Sequence, residues 1–330
     1  MAKAQSLETK LARLRELRGQ PHSPQLIKEL AGALRDSSNF VVADAAELIG
    51  KGPFSELAPN LVEAFTRFLD KPLKKDPQCR AKIALVEALN QLEFTDENFY
   101  LRGVHYVQAE PVWAGTRDSA VPIRVACASS LVRLRHPEAM PLLVDMLATP
   151  YSLEAGKALR VGAAQVLTYA GTNAAALLLR LKVRLGDPEG EVISECFTGI
   201  LEITKEAGVP FVAEYLASGN QVLQEAALLA LGSSRQVAAF GILKSFAERC
   251  IGEIQEAAHV ALALMRLPAA TDYLLSLVTE PSPTVAENAL KALAVHRYDA
   301  RIRERTADAV AQNGTAALRE LFAKRFGAKE

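Results

Sequence analysis

Asp118-Ser-Ala-Val-Pro-Ile123-Arg124-Val-Ala-Cys127-Ala128-Ser-Ser-Leu131-Val-Arg-Leu-Arg-His136-Pro137-Glu-Ala-Met-Pro-Leu-Leu-Val144 decides the fold of this chain. Ile123 is followed by small residues four and five positions on (Cys127 and Ala128) and by Leu131 at the eighth. That spacing draws one apolar stripe along a helix. Small residues in mid-stripe let a second helix come to the short end of the ~8–10 Å packing range. The dipeptide His136-Pro137 punctuates the chain, and a more strongly aliphatic helix follows over residues 137–147. The unit is a helical hairpin.

The same stripe recurs in both directions. Leu159, Ala163, Ala164 and Leu167 repeat it closely, and Cys79, Ile83 and Ala84 more loosely. Further copies begin at Val41, Val192, Val222, Ile254 and Val285. The intervals, about 30 to about 44 residues, suit helical-hairpin repeats. Turn signals separate the helices: Gly171-Thr-Asn173, Gly186-Asp-Pro-Glu-Gly190, Ser218-Gly-Asn220 and Pro281-Ser-Pro283. A lone hairpin cannot bury both its faces, but a stack can. The expected fold is therefore all-α, a right-handed α-α superhelix of about eight to nine hairpins. It is expected to run over residues 1–330 as one solenoid, with capping helices in 1–36 and 297–330. Their polar stretches, Lys10 to Glu16 and Arg301 to Asp308, suit the ends of a closed monomer.

Composition agrees. Half the residues are hydrophobic, yet aromatics are only 6%, and Ala and Leu dominate. This favours close helix packing over a β-sandwich. Lys+Arg and Asp+Glu are 38 each, which argues against a nucleic-acid surface. No apolar run is long enough to span a membrane, and the start of the sequence lacks a secretory pattern, so a cytoplasmic location is expected. Cys79, Cys127, Cys196 and Cys250 lie far apart, as apolar fillers rather than a metal site, and no cofactor is expected. His22, His105, His136, His259 and His296 stand alone and read as surface or capping residues; His136 is expected to cap helix carbonyls. Asp96 and Glu97 read as helix-start residues. Nucleotide and zinc-protease motifs are missing.

The quoted stretch resembles a HEAT repeat, close to the short bacterial variety of phycobilisome lyases. In that family an acidic turn residue and an Arg six positions later form a ladder between repeats. The resemblance places the acid at Asp36, Lys74, Asp118, Glu154, Asp187, Ala217, Arg249 and Glu280, and the Arg at Val42, Arg80, Arg124, Arg160, Ile193, Leu223, Gln255 and Ala286. Both places match only at Asp118/Arg124 and Glu154/Arg160, so a complete ladder is expected only in mid-chain. Function is left open by this architecture.

The interval between copies is widest around residues 93–118, an insert rich in aromatics. It carries Tyr100, Arg102, His105, Tyr106, Gln108, Glu110 and the single tryptophan, Trp113. Aromatics on a loop serve as binding hot spots, but Trp113 and Phe99 read more readily as plugs of the groove between two hairpins that do not stack regularly, and a loop can do both. Positions three, six and ten after each stripe start are expected on the concave face. Glu195, Glu202 and Glu225 make it mildly acidic, beside apolar Leu228, Val260 and Leu264. The leading expectation is a non-catalytic scaffold that binds another protein through this face and the insert. The alternatives are a bilin lyase accessory, with His105, Tyr106 and Trp113 walling a tetrapyrrole, and a HEAT-like DNA-binding protein or alkylated-base glycosylase using Trp113, Asp118 and Arg124. Partner and biological process are not encoded in any motif.

Overall fold

A computed structural model of the chain describes residues 6–113 and 115–327. The chain divides into two compact units, Met1–Ala170 and Gly171–Glu330. The first contains α1 (Leu7–Leu17), α2 (Pro24–Leu34), α3 (Asn39–Gly50), α4 (Ala58–Phe68), α5 (Pro72–Lys75), α6 (Arg80–Gln91) and α7 (Glu97–Gly103). Strands β1 (Ala109–Val112) and β2 (Gly115–Asp118) follow, then α8 (Val121–Arg133), α9 (Ala139–Leu147) and α10 (Gly156–Ala170). The second unit contains α11 (Asn173–Leu185), α12 (Gly190–Thr204), α13 (Val209–Ala213), α14 (Gln221–Ser234) and α15 (Val237–Ala247). It ends with α16 (Glu253–Leu264), α17 (Pro268–Val278), α18 (Pro283–Leu293), α19 (Ala300–Asn313) and α20 (Ala316–Phe326).

The helices that carry the repeated stripe pack on one another in order. In the first unit α3 packs on α6, α6 on α8 and α8 on α10; in the second, α12 packs on α14, α14 on α16 and α16 on α18. Each also packs against a more aliphatic neighbour, as α9 does on α10 and α17 on α18. Ile123, Cys127, Ala128 and Leu131 are fully buried, as are Ala163, Ala164 and Leu167. This is a HEAT-like stack of helical hairpins. Turn residues start the helices as their chemistry requires: Thr172, Asn220 and Asp96 accept backbone N–H bonds at the starts of α11, α14 and α7. Pro283 opens α18, where its missing N–H costs nothing.

The structure corrects the register of two copies. In α6 the buried stripe is Ala81, Leu85, Val86 and Leu89, two residues later than a start at Cys79. The turn acid is accordingly Asp76, not Lys74, and its cation is Lys82, not Arg80. Expected on the concave face, Lys82, Leu85 and Leu89 are in the core, and Glu87 and Gln91 take the exposed places. In α14 the slip is one residue. Leu228 is buried and Leu229 is exposed, so the apolar patch does not include Leu228; Val260 and Leu264 are half-buried.

The acidic turn residue has a consistent local task. Asp36, Asp118 and Asp187 each accept the N–H two residues on, at 2.9 Å, which turns the backbone into the next core helix. What varies is the source of the positive charge. Lys82 and Arg124 come from the core helix itself, whereas Lys10 and Lys182 reach Asp36 and Asp187 from earlier helices at 2.6 and 2.8 Å. Charge pairing at these turns is thus wider than a mid-chain ladder. Glu154 is used differently, for its carboxylate accepts the Asp118 backbone N–H at 3.3 Å. Arg160 is buried, donates to the Thr149 carbonyl and lies over the Tyr151 ring.

Two histidines depart from the expected roles. His136 accepts the Glu138 N–H through Nδ1, serving the start of the following helix rather than the carbonyls before it. His259 is neither surface nor cap: it fills the stripe position of α16 five residues after Ile254 and is 1% exposed. Cys79, Cys127 and Cys196 are buried, with burial pushing their thiols up to about 11, 12 and 12, while Cys250 is half-exposed. No described helix is long and apolar enough to cross a membrane.

A candidate interaction site on a β-hairpin insert

The insert splits into two parts with opposite roles. Its first part is a plug. Phe99 and Tyr100 on α7 are buried, and Phe99 meets Phe65, Phe94 and Tyr100 in edge-on contacts of 5.1, 6.0 and 5.4 Å. The Tyr100 hydroxyl donates to the Phe94 carbonyl, so Tyr100 is not available to a partner. Arg102 and His105 lie exposed at the end of α7 and just beyond it.

The second part is a display. β1 and β2 form an antiparallel hairpin in which Ala109 faces Asp118, Glu110 faces Arg117, Pro111 faces Thr116 and Val112 faces Gly115. Gly115 has φ of 130°, a conformation in which a side chain would be strained. Strands were not expected from an all-α pattern. Trp113 stands at the turn and is 104% exposed; it plugs nothing.

The base of this hairpin is fastened to the first unit by a polar network. Gln108 is buried; its backbone N–H donates to Asp118 and its side chain donates to the Asp76 carbonyl and to Glu110. Tyr106 donates to Gln108 at 2.7 Å, and its ring packs edge-on against Phe65. Glu110 also accepts from the Gln78 backbone N–H at 2.6 Å and the Ser119 hydroxyl at 2.6 Å. Burial opposes the Glu110 charge, but these donors outweigh it and hold the carboxyl below its usual range. Beneath lies Asp76, fully buried, which accepts from Asn39, the Ala81 and Lys82 backbone N–H groups and the Lys82 ammonium. The Lys82 ammonium lies 5.7 Å from the Tyr106 ring centre. The base of the hairpin is thus bonded into the first unit.

A groove of about 510 Å³ runs along the hairpin base. Val112, Ile83, Pro122 and Ala158 supply apolar wall, and Arg117 and Glu154 supply charge. Asp118 and Arg124 are paired with one another and largely buried. His105, Tyr106 and Trp113 do not line this groove, so it is not the tetrapyrrole wall expected of them. In the second unit Glu202 and Glu225 are exposed and Glu195 is half-buried. Glu202 borders a shallow cavity of about 180 Å³ with Lys205, Ser233 and Gln236, and Glu225 accepts from Gln221. Among the described residues no three His, Cys, Asp or Glu side chains gather as a metal site.

Comparison with known proteins finds only distant structural likenesses. No family model matches the sequence, and no curated protein matches it. Human deoxyhypusine hydroxylase is similar in structure at 20% identity, covering 79% of this chain and 91% of that one, with a TM-score of 0.31. A Kap121p mutant is similar at 13% identity, covering 100% of this chain and 45% of its own length, with a TM-score of 0.45. The CpcE–CpcF phycocyanin lyase of Nostoc sp. is similar at 17% identity, covering 93% and 96%, with a TM-score of 0.24. The order in which its own stripe-bearing helices pack gives the chain its HEAT-like helical-repeat fold.

Proposed function

We propose that this protein is a binding scaffold that docks another protein through its β-hairpin, with no chemistry of its own. The observation that carries the reading is Trp113, held wholly in water at the tip of a hairpin whose base is bonded into the core. A tryptophan offers roughly 150–250 Å² of surface, so covering it returns on the order of 5 kcal/mol. A mount bonded at its base lowers the ordering cost on docking. Both traits are those of a hot-spot anchor. The carboxylates of Glu202 and Glu225 in the second unit suit basic groups on a partner and disfavour phosphate.

The test is recovery of a partner from source cells with the tagged chain, beside Trp113→Ala. The substitution is expected to remove the partner while far-UV ellipticity and thermal midpoint stay as in the parent. A partner retained at full yield by the Ala variant would show that the hairpin tip is not the contact.

A further inference from the structure

The hairpin has two outer edges, and they differ. Ser119 donates its N–H to the Gln108 carbonyl, which makes these two a hydrogen-bonded pair just beyond the strands. Alternation along an antiparallel ladder then makes Glu110–Arg117 and Val112–Gly115 bonded pairs too. The backbone groups of Ala109, Pro111, Thr116 and Asp118 therefore point outward. Asp118 confirms this, since its N–H is taken by Glu154 from outside the ladder.

On β1 the outward edge carries Pro111, which has no N–H to give. That edge is blunted in the way exposed edges commonly are. On β2 the outward residue is Thr116, and neither its N–H nor its carbonyl has a partner among the described residues. Glu154 closes the far end of this edge at Asp118, so the free stretch is short and defined. Arg117 beside it is exposed and makes no ion pair among the described residues. Its cross-strand neighbour Glu110 has its carboxylate committed to Gln78, Gln108 and Ser119. An unpaired guanidinium in a strand selects a carboxylate on the next strand.

We infer that the outer edge of β2 takes an extended segment of the partner protein as a third strand, bonded at Thr116, with an Asp or Glu of that segment against Arg117. This is strand addition, with main-chain bonds for affinity and one charge for register. The groove walled by Val112, Ile83, Pro122 and Ala158 lies beside this edge and would receive apolar side chains of the added strand. It rests on the scaffold reading and names the form of the partner.

The probe is a phage-displayed library of short linear peptides, selected on the full chain against Thr116→Pro as counter-target. Proline at 116 removes only an outward N–H and faces Pro111, which the opposite strand already accommodates, so ellipticity and melting should match the parent. Enriched peptides are expected to share an acidic residue. Their affinity should fall about tenfold with Thr116→Pro, as loss of one backbone bond and its space implies, and stay within about twofold with Thr116→Val. Arg117→Glu should weaken them too, with rescue when the peptide's acid is replaced by Lys. Arg117→Glu leaves the backbone edge intact, so it decides the matter even should the proline variant misfold. No enrichment over the counter-target, or equal affinity for Thr116→Pro and Arg117→Glu as for the parent, overturns the inference. A native partner lost with Trp113→Ala but kept with both edge variants would sink strand addition and leave the scaffold reading standing.

Discussion

Asp76 shows how much one side chain can hold. Its carboxylate receives four donors, including the fully buried Lys82 ammonium at 2.9 Å. Removing its charge leaves that ammonium buried without compensation, a change that costs about 3–5 kcal/mol. Asp76→Asn should lower the unfolding free energy from urea titration by that amount, and Asp76→Asn with Lys82→Met should recover part of it. His259 makes the opposite statement. Its Nδ1 is buried with no hydrogen-bond partner among the described residues, and burial lowers its pKa from 6.5 to about 4, with Glu256 pulling weakly the other way. Between those values the unfolded chain binds a proton that the native chain refuses, so stability falls as pH falls through that window and is complete above it. The loss amounts to about 3 kcal/mol by pH 4. Melting from pH 7 to pH 4.5 should be less steep for His259→Leu than for the parent; equal slopes would mean that carboxylates alone set the acid limit.

At the scale of elements, close approach depends on glycines that propensity alone would reject. A Cβ placed on Gly232 of α14 would come within 2.3 Å of the Ala261 carbonyl oxygen on α16, and backbone cannot yield as a side-chain tip can. Alanine is worth up to about 1 kcal/mol over glycine in a helix, but forced overpacking costs typically 1–3 kcal/mol. Gly232→Ala should therefore lower the thermal midpoint, while Gly241→Ala on α15, with open space around it, should raise it slightly. The stripe of small and aliphatic residues was legible at this scale wherever the turn before it is regular. It slipped in α6 because Gln78 and Cys79 both adopt left-handed backbone, with φ of 59° and 55°, before the helix begins. The stripe itself keeps the usual interval, since Ala81 follows Asp76 by five residues as Ile123 follows Asp118; what is unusual is the left-handed pair between them. Nothing in the residue types announces such a conformation. The hairpin was hidden for a related reason: Ala109 to Asp118 lacks the alternating apolar pattern of a half-buried strand, because it buries no face of its own. The insert as a whole was legible through its aromatics, Trp113 among them, but its strands and their edges were not.

Over the whole molecule, the repeat was readable because one pattern recurs eight times and each copy needs its neighbours. The site was readable only as an interruption of that pattern. Its chemistry rests on pairings, such as Glu110 with Gln78 or Glu154 with Asp118, between residues about 30 or more apart. Trp113 has one more consequence. It is the only tryptophan, and it is already in water in the native state. Its emission should therefore sit at the red, solvent-exposed position before any denaturant is added, and should scarcely move as ellipticity collapses. The usual optical reporter of unfolding is blind in this protein, and for that very reason is a clean reporter of whatever covers the hairpin tip. A large blue-shifted signal from the free chain would contradict the exposed geometry.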